Sequence, residues 1–138
     1  MTNEKLAKLA IQARNNSYSP YSNFMVGAAL LATSGKVYEG CNIENASYTP
    51  TVCAERTAFF KAVSEGEKNF VAIAVAGWHK EESPKNATTV AFPCGVCRQV
   101  MREFCEPLFK IFVVDKNGAF AEYTLEEIFP HSFGPQNL

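Results

Sequence analysis

The sequence predicts an α/β fold: one three-layer α-β-α domain, residues 1–138, built round a mixed five-stranded sheet. Three observations predict it. Helix-like and strand-like apolar segments alternate in the order α-β-β-α-β-α-β-β-α, which calls for a sheet with helices packed on it. Two turn signals, Ser34-Gly35 and Asn117-Gly118, each sit between strand-like runs and read as hairpins. The length of 138 residues suits a single domain, and 47% hydrophobic against 20% charged residues is enough to bury a core.

Each element has its own signal. Leu6, Leu9, Ala10 and Ala13 recur at helical spacing, so residues 3–15 form an amphipathic helix that the turn-rich NNSYSPYSN ends. Phe24 to Thr33 and Val37 to Asn42 are strands either side of the first hairpin turn. Thr49 or Thr51 is expected to cap a helix that runs to about Ser64, with Cys53 in its first turn and Gly66 as the stop. Phe70 to Gly77 is a continuous apolar run, as a buried strand requires. The stretch WHKEESPKNATT reads as a hydrophilic loop, and a short helix follows from Cys94 to Cys105. Lys110 to Asp115 and Phe120 to Tyr123 are strands joined at Asn117-Gly118, and Thr124 with Glu127 makes a capping box for a last helix.

Charge and composition exclude several function classes. Thirteen Lys and Arg stand against fourteen Asp and Glu, a formal charge of -1, so no basic excess is available to hold a nucleic-acid polymer. No apolar run approaches the roughly 18 residues of a membrane span, and the start MTNEKLAKLA lacks the apolar core of a signal peptide. Five cysteines, an odd number, argue for reduced thiols and a cytoplasmic setting rather than a disulfide framework.

Three of those cysteines are spaced for a metal. Cys94 and Cys97 lie at i, i+3 on a helix start, so both sulfurs can face one point, and Cys53 opens another helix. Helix N-termini stabilise thiolates. Three thiolates converging there suit one Zn²⁺ per chain with an open fourth position, the mark of a catalytic rather than a structural site. Glu55, two residues beyond Cys53, is placed to move protons beside that position. Three thiolates leave the centre formally -1, which the neighbouring Arg56 can offset by donating to sulfur. A lone C-x-x-C would fit a redox pair or half of a structural site equally well. C-A-E together with P-C-x-x-C matches the known zinc deaminase signature, with cysteine in place of histidine.

With these motifs the chain resembles cytidine deaminases of the small homotetrameric type. The likeness runs through SPYSNFMVGAAL (19–30), GCNIENASY (40–48), TVCAERTAF (51–59) and PCGVCRQV (93–100). It implies hydrolytic deamination of cytidine and deoxycytidine, with zinc on Cys53, Cys94 and Cys97. Water would add at C4 of the base, while Glu55 protonates N3 and then the leaving amine. It also implies that Asn42 and Glu44 grip the ribose 3′-hydroxyl, that Phe24 lies against the base, and that the backbone at Ala54 reads the base edge. Ala46, Tyr48 and Phe133 would act across a subunit boundary in a tetramer with shared active sites. A carboxylate on the 3′-hydroxyl would repel a 3′-phosphate, which favours a free nucleoside as substrate.

Departures from the family pattern are Met25 where proline is frequent, Ala91-Phe92 before Pro93, and 40 residues between Cys53 and Cys94. The excess length is assigned to the loop Trp78–Val90, near the pocket rim or a subunit interface. Cys41 and Cys105 are expected to be packed thiols, and His79 and His131 to lie in loops without a ligand role. Tyr18, Tyr21, Phe59 and Phe60 are expected to serve packing. The rival functions are deamination of a cytosine nucleoside antibiotic of the blasticidin type, and a non-catalytic zinc module, which would need a fourth protein ligand.

Overall fold

A computed structural model describes residues 1–82 and 89–138. The elements follow the expected order: α1 (Asn3–Arg14), β1 (Phe24–Ala32), β2 (Val37–Cys41), α2 (Ala54–Ser64), β3 (Phe70–His79), α3 (Gly95–Phe104), β4 (Lys110–Val114), β5 (Phe120–Thr124) and α4 (Leu125–Ile128). A 3-10 turn, Pro135–Asn137, ends the chain. The five strands form one sheet in the order β2-β1-β3-β4-β5. Among the described strand pairs only β3–β4 is parallel, so the sheet is mixed, and its crossover carries α3.

The alternation of strand side chains divides the core into two layers. Ala28, Leu30, Ile73, Val75, Ile111 and Val113 face α2 and α3, where they pack on Ala58, Phe59, Ala62 and Met101. The intervening residues Ala29, Ala72, Ala74, Ala76, Phe112 and Val114 face α1 and meet Leu6, Ala7 and Ala10. Phe59 anchors the first layer: it is fully buried and touches the rings of Phe70, Phe104 and Phe109. On the second, Arg14 is buried with its guanidinium 4.1 Å from the Trp78 ring centre, and it donates to the carbonyls of Met25 and Trp78. The capping box of Thr124 and Glu127 forms as the sequence predicts.

Three expectations need correction. The cap of α2 is Cys53 itself, not Thr49 or Thr51. Val52 is held extended by paired bonds to Ile43 (both 3.0 Å), so the helix cannot begin before Cys53. Trp78 and His79 belong to β3 rather than to a loop, because Met25 and Phe24 of β1 pair with them. Residues 83–88 of the expected loop lie outside the described residues. Lastly, Phe60 is 49% exposed, and Tyr18 and Tyr21 are also exposed; Phe59 alone of that group serves the core.

Candidate active site

Two helix N-caps meet at the α2/α3 face of the sheet. Cys53 and Cys94 are the cap residues of α2 and α3, both with extended backbone, and Cys97 follows on the first turn of α3. The Cys94 sulfur accepts the Cys97 N–H, as a serine oxygen would at an ordinary cap. The Cys53 sulfur makes no capping bond and turns to the cluster. Sγ of Cys94 lies 3.6 Å from Sγ of Cys53 and 3.6 Å from Sγ of Cys97. All three lie within 4.8 Å of one another. Tetrahedral bonds of ~2.3 Å would set sulfur pairs roughly 3.8 Å apart, so the trio fits zinc with little movement. Among the described residues no other group of three Cys, His, Asp or Glu is arranged to hold a metal. The set is three sulfurs, which leaves one tetrahedral position open.

The position of Cys53 depends on close packing behind it. A side chain at Gly40 of β2 would put its Cβ 2.6 Å from the carbonyl oxygen of Ala54 and 2.6 Å from the N–H nitrogen of Ala58. The absence of one lets the start of α2 lie directly on β2.

The thiols are electrostatically primed for a cation. Without a metal, the Cys97 S–H donates to Cys53 and outweighs burial; Arg56 and Cys94 add to it, and Cys53 is drawn down to about 5. Cys97 is pushed up by the same bond and by burial. A divalent cation would displace the shared proton. Nη2 of Arg56 lies 3.3 Å from the Cys53 sulfur, and bonds to these sulfurs strengthen the guanidinium's hold on its proton against the effect of burial. Glu55, 3% exposed, is raised to about 7: burial is the main cause and the Cys53 thiolate adds to it, while its own backbone N–H and Arg56 oppose it. A carboxyl near 7 can both take and give a proton at neutral pH.

A cleft of about 250 Å³ opens in front of this centre. Cys53, Cys94 and Glu55 line one part of it, and Phe24, Asn42 and Glu44 line another, so the structure brings these six residues to one cleft. Phe24, Val26 and Val75 reach it because each points to the α2/α3 face of its strand. Gly77 leaves room for that wall: a Cβ there would come within 2.9 Å of both Ala91 and Val26 and 3.3 Å of the Phe24 ring.

Asn42 is 9% exposed and its amide is largely committed. Its Oδ1 accepts the Val26 N–H at 2.9 Å and the Ser17 hydroxyl, while Nδ2 donates to the Phe24 carbonyl at 2.8 Å. One N–H of Nδ2 is left for a ligand, so Asn42 can only donate. Glu44, next but one along the chain, can only accept when ionised. The pair matches a hydroxyl, which needs one of each.

Other expected positions lie off this cleft. Ala54 is fully buried at the first position of α2, with its methyl in the core. Ala46 and Tyr48 are exposed, Tyr48 at φ 52, and Tyr48 lines an adjoining shallow hollow with Tyr21, Ser22, Glu44, Asn45 and Thr51, of which Ser22, Glu44 and Thr51 also border the cleft. Phe133 is 58% exposed, its carbonyl bonded to Gln99. Within one chain the structure therefore does not bring Ala46, Tyr48 or Phe133 to the metal centre. Sequence reasoning missed Ser22, Val26, Thr51, Val52, Val75, Ala91 and Phe92, which complete the lining. The unusual Ala91-Phe92 pair was the one available signal. A larger hollow of about 360 Å³, bordered by Gln12, Glu39, Cys41 and Lys61, lies apart from these groups.

The model of the cytidine and deoxycytidylate deaminase zinc-binding region matches residues 1–113 of this chain. The chain belongs to the cytidine deaminase family. Curated members similar to it include the cytidine deaminase of Halalkalibacterium halodurans, 48% identical over 138 residues, which covers all of this chain and 98% of that one. That of Sporosarcina psychrophila is 46% identical over 135 residues, 98% of this chain and 93% of its own length. The crystal structure of cytidine deaminase from Burkholderia pseudomallei superposes with a TM-score of 0.85 at 42% identity, over 96% of this chain and the whole of the other. The mixed sheet and its helices are thus the cytidine deaminase fold, and the cysteine trio lies in the family's zinc-binding region. No helix among the described residues is long and apolar enough to cross a membrane.

Proposed function

We propose that this chain, acting as one domain, converts cytidine and 2′-deoxycytidine with water to uridine and 2′-deoxyuridine, and releases ammonia. The observation that carries the proposal is the sulfur trio at tetrahedral spacing beside a buried carboxyl near 7, in a chain of the cytidine deaminase family. Cys53, Cys94 and Cys97 hold zinc, and Arg56 offsets the charge that three thiolates bring to it. When bound, zinc supplies the Lewis acidity that makes water nucleophilic near neutral pH.

The chain's own residues do the rest. Glu55 takes a proton from the attacking water, delivers it to N3 of the base and passes a second to the departing amine. Phe24 packs against the base, and the backbone at Ala54 reads its edge. Asn42 donates to the sugar 3′-oxygen and Glu44 accepts its proton, an arrangement that a 3′-phosphate would disrupt by repulsion. A mononucleoside is therefore the substrate rather than a polymer, which also agrees with the formal charge of -1. The exposure of Tyr48 and Phe133, at 77% and 58%, supports their use across a boundary between subunits, with Ala46 beside Tyr48, in a homotetramer with shared sites. The setting that suits free thiols and this reaction is cytoplasmic pyrimidine salvage.

The deciding experiment is Glu55→Gln. The variant keeps one zinc per chain, measured by plasma mass spectrometry, and loses at least 100-fold in ammonia release from cytidine. Wild-type rates in that variant would remove Glu55 from the mechanism. A panel of cytidine, deoxycytidine, blasticidin S and a cytidine-containing oligonucleotide separates the nucleoside reading from its rivals, and sedimentation velocity reads the assembly.

A further inference from the structure

The carboxylate of Glu44 is clamped at one end of the cleft. Its Oε1 accepts the backbone N–H groups of Tyr21 (3.0 Å) and Ser22 (3.1 Å), and its Oε2 accepts the Ser22 hydroxyl at 2.5 Å. The same hydroxyl oxygen accepts the N–H of Phe24 at 3.0 Å. A hydroxyl has one proton to give, and the Phe24 N–H lying on its oxygen leaves that proton aimed at Glu44. Ser22 thus stands between residue 24 and residue 44, and all three line one cleft.

The turn that gathers these donors is itself fixed. Asn23 adopts φ 56, its N–H returns to the Ser19 carbonyl at 2.9 Å, and its own carbonyl accepts the Lys80 N–H at 2.7 Å. Partial burial works to raise the Glu44 carboxyl, but the Ser22 hydroxyl and the two N–H groups outweigh it and hold the group below its ordinary range. Two of the three donors are backbone and survive any substitution. The Ser22 hydroxyl alone secures Oε2, and with it the rotation of the carboxylate about its last bond.

We propose that Ser22 is a positioning residue for sugar recognition: its hydroxyl locks Glu44 in the rotamer that accepts the nucleoside 3′-hydroxyl, and so couples the sugar end of the cleft to the strand that carries Phe24. This rests on the assignment of Glu44 to the sugar. A group that orients an acceptor contributes to binding in ground and transition states alike, so its loss falls on KM rather than kcat. Ser22 is exposed, and its truncation leaves the fold intact.

The test compares cytidine with 3′-deoxycytidine in the zinc-loaded wild type and in Ser22→Ala, Ser22→Thr, Glu44→Ala and the Ser22→Ala/Glu44→Ala double variant. Ser22→Ala raises KM for cytidine about tenfold with kcat held within about twofold, as loss of a hydrogen bond to a charged group implies. It leaves KM for 3′-deoxycytidine unchanged, and Ser22→Thr restores most of the loss. In the Glu44→Ala background, Ser22→Ala has no further effect. Carbon-13 NMR of the Glu44 carboxyl shows it titrating higher in Ser22→Ala. Equal KM changes for both substrates, full additivity in the double variant, or an unchanged Glu44 titration would each overturn the role of Ser22. Failure of Glu44→Ala to separate the two substrates would instead overturn the sugar assignment itself, and the inference with it.

Discussion

Arg56 and Cys53 are joined across one helical turn: Nη2 lies 3.3 Å from Sγ, while Nε is buried with no hydrogen-bond partner among the described residues. The guanidinium is thus held at the cluster by sulfur alone among the contacts described for it. After the Cys97 bond, Arg56 is the chief group that favours the Cys53 thiolate. In metal-stripped protein, Arg56→Gln raises the pH at which Cys53 becomes reactive, with Cys53 remaining more acidic than a free thiol. Iodoacetamide labelling against pH, read at the Cys53 peptide by mass spectrometry, measures this; an unchanged midpoint would show that Arg56 does not act on that sulfur.

Glu55 makes the metal-free protein sensitive to pH. Its carboxyl titrates at about 7 in the fold against 4.5 when unperturbed, so ionisation opposes folding. The fold carries no such cost below about pH 4.5; the cost grows as pH rises and is complete above about 7. It amounts to about 3 kcal/mol at 1.36 kcal/mol per pH unit. Metal-free Glu55→Gln is therefore more stable than metal-free wild type by about 3 kcal/mol at pH 8 and nearly equal to it at pH 4.5. Urea unfolding at the two pH values provides the comparison.

A methyl group at residue 40 would strike the backbone of α2 at both Ala54 and Ala58. Gly40→Ala must push the helix start off the sheet and Cys53 with it. The expected cost is about 2–3 kcal/mol of stability, the usual scale of overpacking, together with less than one zinc per chain after dialysis. Full zinc content at wild-type melting temperature would show that the helix start is not fixed by this contact.

Phe92 lines the cleft, is 46% exposed, and packs edge-on against Tyr123 with ring centres 5.3 Å apart. Phe92→Ser removes an apolar wall but little buried surface. KM for cytidine rises a few-fold, and stability falls by less than about 1 kcal/mol. A large loss of stability with unaltered KM would assign Phe92 to packing instead.

What the sequence made legible was local. The i, i+3 spacing of Cys94 and Cys97, the C-A-E step at Cys53, the two hairpin turns and the Thr124–Glu127 box each depend on neighbours along one segment. What it hid depends on strand pairing. Val52 is held extended by Ile43, which moves the cap of α2 to Cys53. Pairing with Phe24 and Met25 carries β3 through Trp78 and His79. Val75 reaches the cleft only because its strand lies beside β1, and Ser17 steadies Asn42 from 25 residues away. Ala46, Tyr48 and Phe133 are assigned by resemblance alone, and a single chain does not bring them to the metal centre.

The two layers of the core separate the chemistry from α1. Helix α1 packs on the face opposite the cysteines, and its Lys5 and Lys8 point outward. A fluorophore or a surface tether attached at either lysine would have the whole thickness of the sheet between it and the reacting base. That makes the first helix the practical handle for immobilising or labelling this catalyst while it turns over.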